Sequence, residues 1–210
     1  MGRRQTPVQT RRHGTGATWL PDPVTSDSYS NGAIFVSSPS EDLVAYRSAA
    51  RDVIRGCDFT AVVFEEFGAQ PHKWLLTLPQ RISRCNAVVV ILAHCYGTVV
   101  GRGECPLANG RRSVTEIEIE LAIEARRSIL YFEVAPDGPE FKWPGPRECH
   151  RLCEDSSSAE VKSIQHGMRQ LRRLKERLST WHYAKFTTPE SLQTEVAKAL
   201  VRLRREQGFG

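Results

Sequence analysis

Five short apolar runs, each followed by a stretch of helical periodicity, constrain this chain more than any other feature. The runs are Ala33 to Ser37, Phe59 to Phe64, Ala87 to Leu92, Ser128 to Val134 and His182 to Thr187. The helical patterns run to about Arg55, to near Cys85, from Ser113 to Arg127, from about Glu160 to Thr180, and from Pro189 to about Arg205. Strands apolar on both faces, alternating with helices, imply a parallel α/β sheet covered on both sides. The most economical order for five such units is 2-1-3-4-5, and ligands in such sheets sit beyond the strand carboxyl ends where the order reverses. That cleft is expected between the first and third strands, walled by Ser37 and Ser38 on one side and by His94, Tyr96 and Gly97 on the other.

Local signals support this register. Ser38, Pro39 and Glu41 form a capping-box pattern with proline at the first helical position, ahead of Leu43, Tyr46, Ala50, Val53 and Ile54 at helical spacing. Thr188 and Pro189 open the last helix in the same way, before Leu192, Val196, Ala199, Leu200 and Leu203. Two connections, 94–112 and 135–159, run to about 19 and 25 residues, longer than ordinary loops, so they are expected to be functional or disordered. Residues 1–31, rich in Gly, Pro, Ser, Thr and Arg, are expected to form a basic arm that is disordered or loosely attached, leaving one domain over 32–206.

At 210 residues and 40% hydrophobic, the chain can bury a core without disulfide staples. No run reaches the roughly 18–20 apolar residues of a membrane helix, and Met1 to Arg12 has no apolar signal core, so no membrane insertion is expected. The net charge of +5 permits an anionic ligand without identifying one. Its excess lies in the arm (Arg3, Arg4, Arg11, Arg12) and on one helix (Lys162, Arg169, Arg172, Arg173, Lys175, Arg177). Leu171, Leu174 and Leu178 give that helix an apolar stripe, so it is read as a solvated helix covering the sheet. The alternative is a helix that lies on nucleic acid or an acidic partner, but it has no interleaved aromatic platform. Trp74, Trp143 and Trp181 are read as core or loop anchors. The six cysteines form no CxxC pair, and a reducing, cytoplasmic setting fits them. Cys149, His150 and Cys153 have the nearest thing to metal-ligand spacing but no second ligand pair nearby, so no metal is expected.

One residue breaks the pattern. On the helix Ser113 to Arg127, Glu116, Glu120 and Glu124 fall on one polar arc and are assigned to solvent, whereas Glu118 falls among Val114, Ile117, Leu121, Ala122 and Ala125. A carboxylate facing the sheet loses hydration and must be paired, protonated or functional. Its place in the first two turns, just after the glycine-rich loop, sets it at the strand-end cleft. A structural role, pairing with Arg102 or Arg112 or with a backbone amide, and a catalytic role are both open on these grounds.

The string Ile34, Phe35, Val36, Ser37, Ser38, then Glu41, Asp42 and Leu43, then Glu65, Glu66 and Phe67, then Tyr96 and Gly97, then Ser113, Thr115, Glu116 and Glu118 resembles an uncharacterised TIR-like family. That family stands at the N-terminus of STAND NTPases and WD-repeat proteins. The resemblance covers about residues 33–134 well and implies a flavodoxin-like fold. TIR domains and nucleoside deoxyribosyltransferases carry a glutamate followed four residues later by alanine, the relation of Glu118 to Ala122. In active relatives this acid works at the anomeric carbon of a ribose, and NAD is the usual TIR substrate. The resemblance therefore implies an NAD-cleaving N-glycosidase of immune or stress signalling, with Glu118 catalytic, NAD or a related nucleotide as substrate, and no cofactor.

Substrate-binding residues are expected at Ser37 and Ser38, which would meet ribose hydroxyls or a phosphate at a helix N-terminus, and at Tyr96, Gly97, Ser113 and Arg102. Asp42 is expected in that helix's first turn, where the dipole accounts for it. The sequence departs from many TIR domains in its long loop, in lacking a Trp or Cys just before the glutamate, and in the grouping of Arg102, Arg111 and Arg112. The alternative is a non-catalytic TIR-like module that self-associates or docks a signalling protein.

Overall fold

A computed structural model of the chain describes residues 31–39, 43–63, 73–135 and 158–208. The N-terminal arm, Glu41, Asp42, Glu65, Glu66 and Phe67 lie outside the described residues, as does most of 135–159 with Trp143, Cys149, His150 and Cys153. The elements are β1 (Ala33–Ser37), α1 (Val44–Gly56), β2 (Thr60–Val62), α2 (Lys73–Ser83), β3 (Ala87–Leu92), α3 (Val114–Glu124), β4 (Ser128–Val134), α4 (Ser158–Leu178), β5 (His182–Phe186) and α5 (Pro189–Gln207). The five strands form one parallel sheet in the order β2-β1-β3-β4-β5. This is the parallel α/β sheet and strand order expected from the apolar runs, and the flavodoxin-like plan that the resemblance implies, with its order reversing between β1 and β3.

Alternation along the strands divides the core in two. Phe35, Val88, Val90, Leu92 and Tyr131 point to one face and pack with Leu78 and Ile82 of α2, Ile117 and Leu121 of α3, and Leu171, Leu174 and Leu178 of α4. Ile34, Val36, Val89, Ile91 and Phe132 point to the other and meet Ala50 and Ile54 of α1 and Leu192, Val196 and Leu200 of α5. Helix α5 opens as expected. The Thr188 hydroxyl accepts from the Ser191 amide at 3.1 Å, the Ser191 hydroxyl accepts from the Thr188 amide at 2.9 Å, and Pro189 takes the first turn.

Helix α1 does not open at Ser38 as the capping pattern predicts. The helix begins at Val44, and Leu43 precedes it with no side-chain cap. Ser38 instead directly follows β1, and its carbonyl and hydroxyl accept from Arg47 Nη1 at 2.8 and 3.1 Å. A buried guanidinium in the helix's first turn thus takes the oxygen that a cap would offer to backbone amides.

The 94–112 connection is folded rather than structureless. Val99 and Ser113 form an antiparallel bridge, flanked by Val100 N to Arg112 O at 3.0 Å and Val114 N to Thr98 O at 2.9 Å. Asn109 Oδ1 accepts from the Arg111 and Arg112 amides at 2.9 and 3.1 Å, and Val100 and Cys105 are buried.

Helix α4 covers the sheet with its leucine stripe and fastens its last turns by charge. Arg177 meets Glu120 of α3 at 2.6 Å, and Lys175 meets Glu133 of β4 at 3.0 Å. Glu120, expected in solvent, is therefore held by an ion pair, while Glu124 is exposed as its arc predicts. Among the described residues no helix is long and apolar enough to cross a membrane.

Two expectations test this packing. Leu178→Ala removes a fully buried side chain and is expected to lower unfolding free energy by about 2–5 kcal/mol, whereas Arg173→Ala on the exposed face should change it by less than about 0.5 kcal/mol, both read by urea denaturation. Burial pushes the Cys85 thiol up to about 12, partly opposed by the Arg127 guanidinium. Iodoacetamide at pH 8 should therefore label the partly exposed Cys57 well before Cys85, and equal rates would contradict this environment.

Candidate functional site

Strand β1 ends with side chains that alternate across the sheet, so Ser37 points to the α3 face and Ser38 to the α1 face. On α3, Ile117, Ile119, Leu121 and Ala122 are buried, and Glu118 is buried with them at 3% exposure. The Ser37 hydroxyl, itself fully buried, donates to Glu118 Oε2 at 2.5 Å. This is the length of a charge-assisted O–H to carboxylate hydrogen bond, among the stronger polar contacts a protein interior offers. Glu118 thus meets a serine 81 positions away on the first strand. Arg102 is exposed and donates from Nε to the Asn109 carbonyl at 3.2 Å within its own loop.

Tyr96 organises the start of α3. Its phenol donates to Glu116 Oε2 and accepts from the Ser113 amide at 3.2 Å, with the Arg111 carbonyl also 3.2 Å away. The Ser113 hydroxyl caps the helix by accepting from the Glu116 amide at 3.2 Å. Glu116, expected in solvent, is therefore half-buried and spent on Tyr96. Burial, and after it the Glu116 carboxylate, holds the Tyr96 phenol well above its ordinary pKa, so it remains a neutral donor.

Gly97 brings the loop against both neighbours. Its φ is +88°, and a Cβ there would stand 3.5 Å from Thr115 Oγ1 and 3.7 Å from Pro39. The end of β1, the end of β3 and the first turn of α3 meet at this point. Helix α4 closes over Tyr96 through Gly167, where a Cβ would lie 3.7 Å from the Tyr96 Cβ.

Of the residues expected at the site, Ser37 and Glu118 are joined directly. Tyr96 and Ser113 form an adjoining network, and Gly97 packs between them and Pro39. Ser38 faces the other side of the sheet, and neither serine stands at a helix N-terminus, since α1 begins six residues after Ser38. Asp42 is outside the described residues. Sequence reasoning missed Arg47, which is 5% exposed and braces Ser38. The signal was present: Arg47 lies four residues after Leu43 and three before Ala50, within the apolar arc of α1, as Glu118 does on α3. Among the described residues no group of His, Cys, Asp and Glu is arranged to hold a metal ion.

Fold and site together define a flavodoxin-like α/β domain with a buried Ser–Glu pair at the carboxyl edge of its sheet. The chain belongs to the DUF4062 family, a domain of unknown function, which residues 33–201 match. A search of curated proteins finds no match. Among solved structures it is similar to a CMP N-glycosidase from Clostridium botulinum at 11% identity and TM-score 0.41, covering 80% of this chain and 98% of that one. It is similar to a diflavin flavoprotein from Nostoc sp. at 13% identity and TM-score 0.41, covering 84% and 97%.

Tyr96→Phe removes the donor to Glu116 and the acceptor of the Ser113 amide, and is expected to cost about 1–3 kcal/mol of stability. Because the folded phenol's pKa is raised, its contribution is complete below about pH 10, the ordinary tyrosine value, and is lost as pH rises from there towards the folded value. Between pH 9 and 11 the wild-type denaturation midpoint should therefore fall further than that of Tyr96→Phe.

Proposed function

We propose that this domain cleaves the N-glycosidic bond of a nucleotide, with Glu118 as the carboxylate that meets the anomeric carbon. One observation carries the reading: a carboxylate 3% exposed, at the carboxyl edge beside the switch in strand order, joined by a short hydrogen bond to the end of the first strand. Ligand sites in this architecture lie at that switch. A residue meant only to stabilise would be replaced there by an apolar one at little cost.

The chemistry suits the group. As the bond from C1′ to the base nitrogen breaks, the base leaves with the electron pair: a purine or pyrimidine takes up a proton, whereas the nicotinamide of NAD, cationic while bound, leaves neutral without one. The ribose becomes oxocarbenium-like, and a carboxylate stabilises or traps it until water adds its oxygen at C1′. Ser37 then acts as a positioning residue, because its hydroxyl fixes the Glu118 rotamer. The finer reading, a TIR-like domain that cleaves NAD in immune or stress signalling, rests on the sequence resemblance and on the spacing of Glu118 and Ala122.

The test is to incubate the protein at high concentration with NAD and with a panel of nucleotides, and to follow the free base. Wild type is expected to release base, Glu118→Gln to be slower by at least about 100-fold, and Ser37→Ala to lose about tenfold in kcat with KM little changed. Release that is absent, or equal in wild type and Glu118→Gln, would leave the domain as a non-catalytic docking module.

A further inference from the structure

At the opposite edge of the sheet, where β4 begins and the chain enters β5, Trp181 is 36% exposed and lines two cavities of about 360 and 340 Å³. Both are lined by Trp181, Ser128 and Ile129. Arg202 of α5 lines the first, and Arg126 and Arg127 line the second. Glu206 is the sole acid in either lining, and none of the three arginines is in an ion pair among the described residues. Arg127 Nε is a buried atom with no hydrogen-bond partner among the described residues.

Arg126 adds an independent sign. It closes α3 in a Schellman turn, with its amide on the Ile123 carbonyl and that of Arg127 on the Ala122 carbonyl, each at 2.9 Å. Its φ is +55°, at the position where glycine is the usual residue and a branched-off side chain carries a backbone penalty. A helix C-terminus attracts cations, which explains a basic residue near Arg126 but not one in the left-handed position itself. Nor does it explain Arg202 on another helix, or an exposed indole between them.

We propose that this edge is a second binding site, separate from Glu118, which takes a free nucleotide. The base stacks on the Trp181 indole, and the phosphates lie against Arg126, Arg127 and Arg202. An indole offers a flat face to any nucleobase, and guanidinium groups match phosphate in charge and geometry. Two cavities of this size sharing one indole in their lining suit a small ligand, whereas an acidic polypeptide would need a continuous groove.

Calorimetric titration of the full chain with ADP tests the site. Saturable binding is expected, weakened at least tenfold by the double variant Arg126→Gly with Arg202→Ala and at least threefold by Trp181→Phe, and unchanged in Glu118→Gln. Arg126→Gly restores the residue the turn prefers, so its thermal midpoint should be no lower than wild type and a loss of binding cannot be assigned to unfolding. Pyrophosphate and adenosine, each alone, should bind more weakly than ADP. The proposal is overturned by absence of binding at millimolar ADP, by equal binding in the double variant, by loss of binding in Glu118→Gln, by pyrophosphate binding as tightly as ADP, or by binding of an oligonucleotide in place of ADP.

Discussion

A parallel sheet with helices on both faces has no solvated face left over, and this constraint governs everything polar in the domain. All five residues of β1 are buried, and so are all six of β3. A polar side chain on these strands has to meet a partner from the helix above it or carry an unsatisfied group at a cost of about 1–3 kcal/mol. Ser37 meets Glu118, and each removes the other's penalty. The same constraint drives chemistry to the strand ends, where loops admit ligands while the helices still exclude water.

Keeping Glu118 in register with Ser37 requires that α3 not shift, and its supports act at different heights. The Tyr96 phenol and the Ser113 cap hold the first turn, Arg177 of α4 meets Glu120 in the second, and the Arg126 turn closes the end. Helix α4 reaches both the first support, through Gly167 on Tyr96, and the second. The basic helix therefore braces the helix that carries the candidate acid, through the Arg177 cation and through Gly167.

Strands buried on both faces read directly as apolar runs, which is why their positions and order were legible in the sequence. Glu118 was legible because a carboxylate interrupted an otherwise apolar arc. Periodicity is silent about partners from distant segments. Nothing on α3 alone distinguishes Glu116, which Tyr96 claims, or Glu120, which Arg177 claims, from the truly exposed Glu124. The Ser38 capping pattern misled because a serine followed by proline and glutamate reads the same whether its hydroxyl caps a helix or is taken by a guanidinium further along. The grouping of Arg126, Trp181 and Arg202 joins three separate elements, and only the folded sheet edge brings them together.

Arg47 and Glu118 complete the logic of the strand end. Each is a charged residue set within the apolar arc of its helix, and the two helices lie on opposite faces of the sheet. The consecutive serines at the end of β1 and just beyond it project to opposite faces, so that Ser38 receives the cation of α1 and Ser37 donates to the anion of α3. A slip of one residue in β1 would present Ser37 to Arg47 and turn Ser38 towards α3, while driving Ile34 and Val36 onto the wrong core. The hydrophobic pattern of the strand and the charges of its two covering helices thus specify the same register, and the candidate acid is placed by the agreement between them.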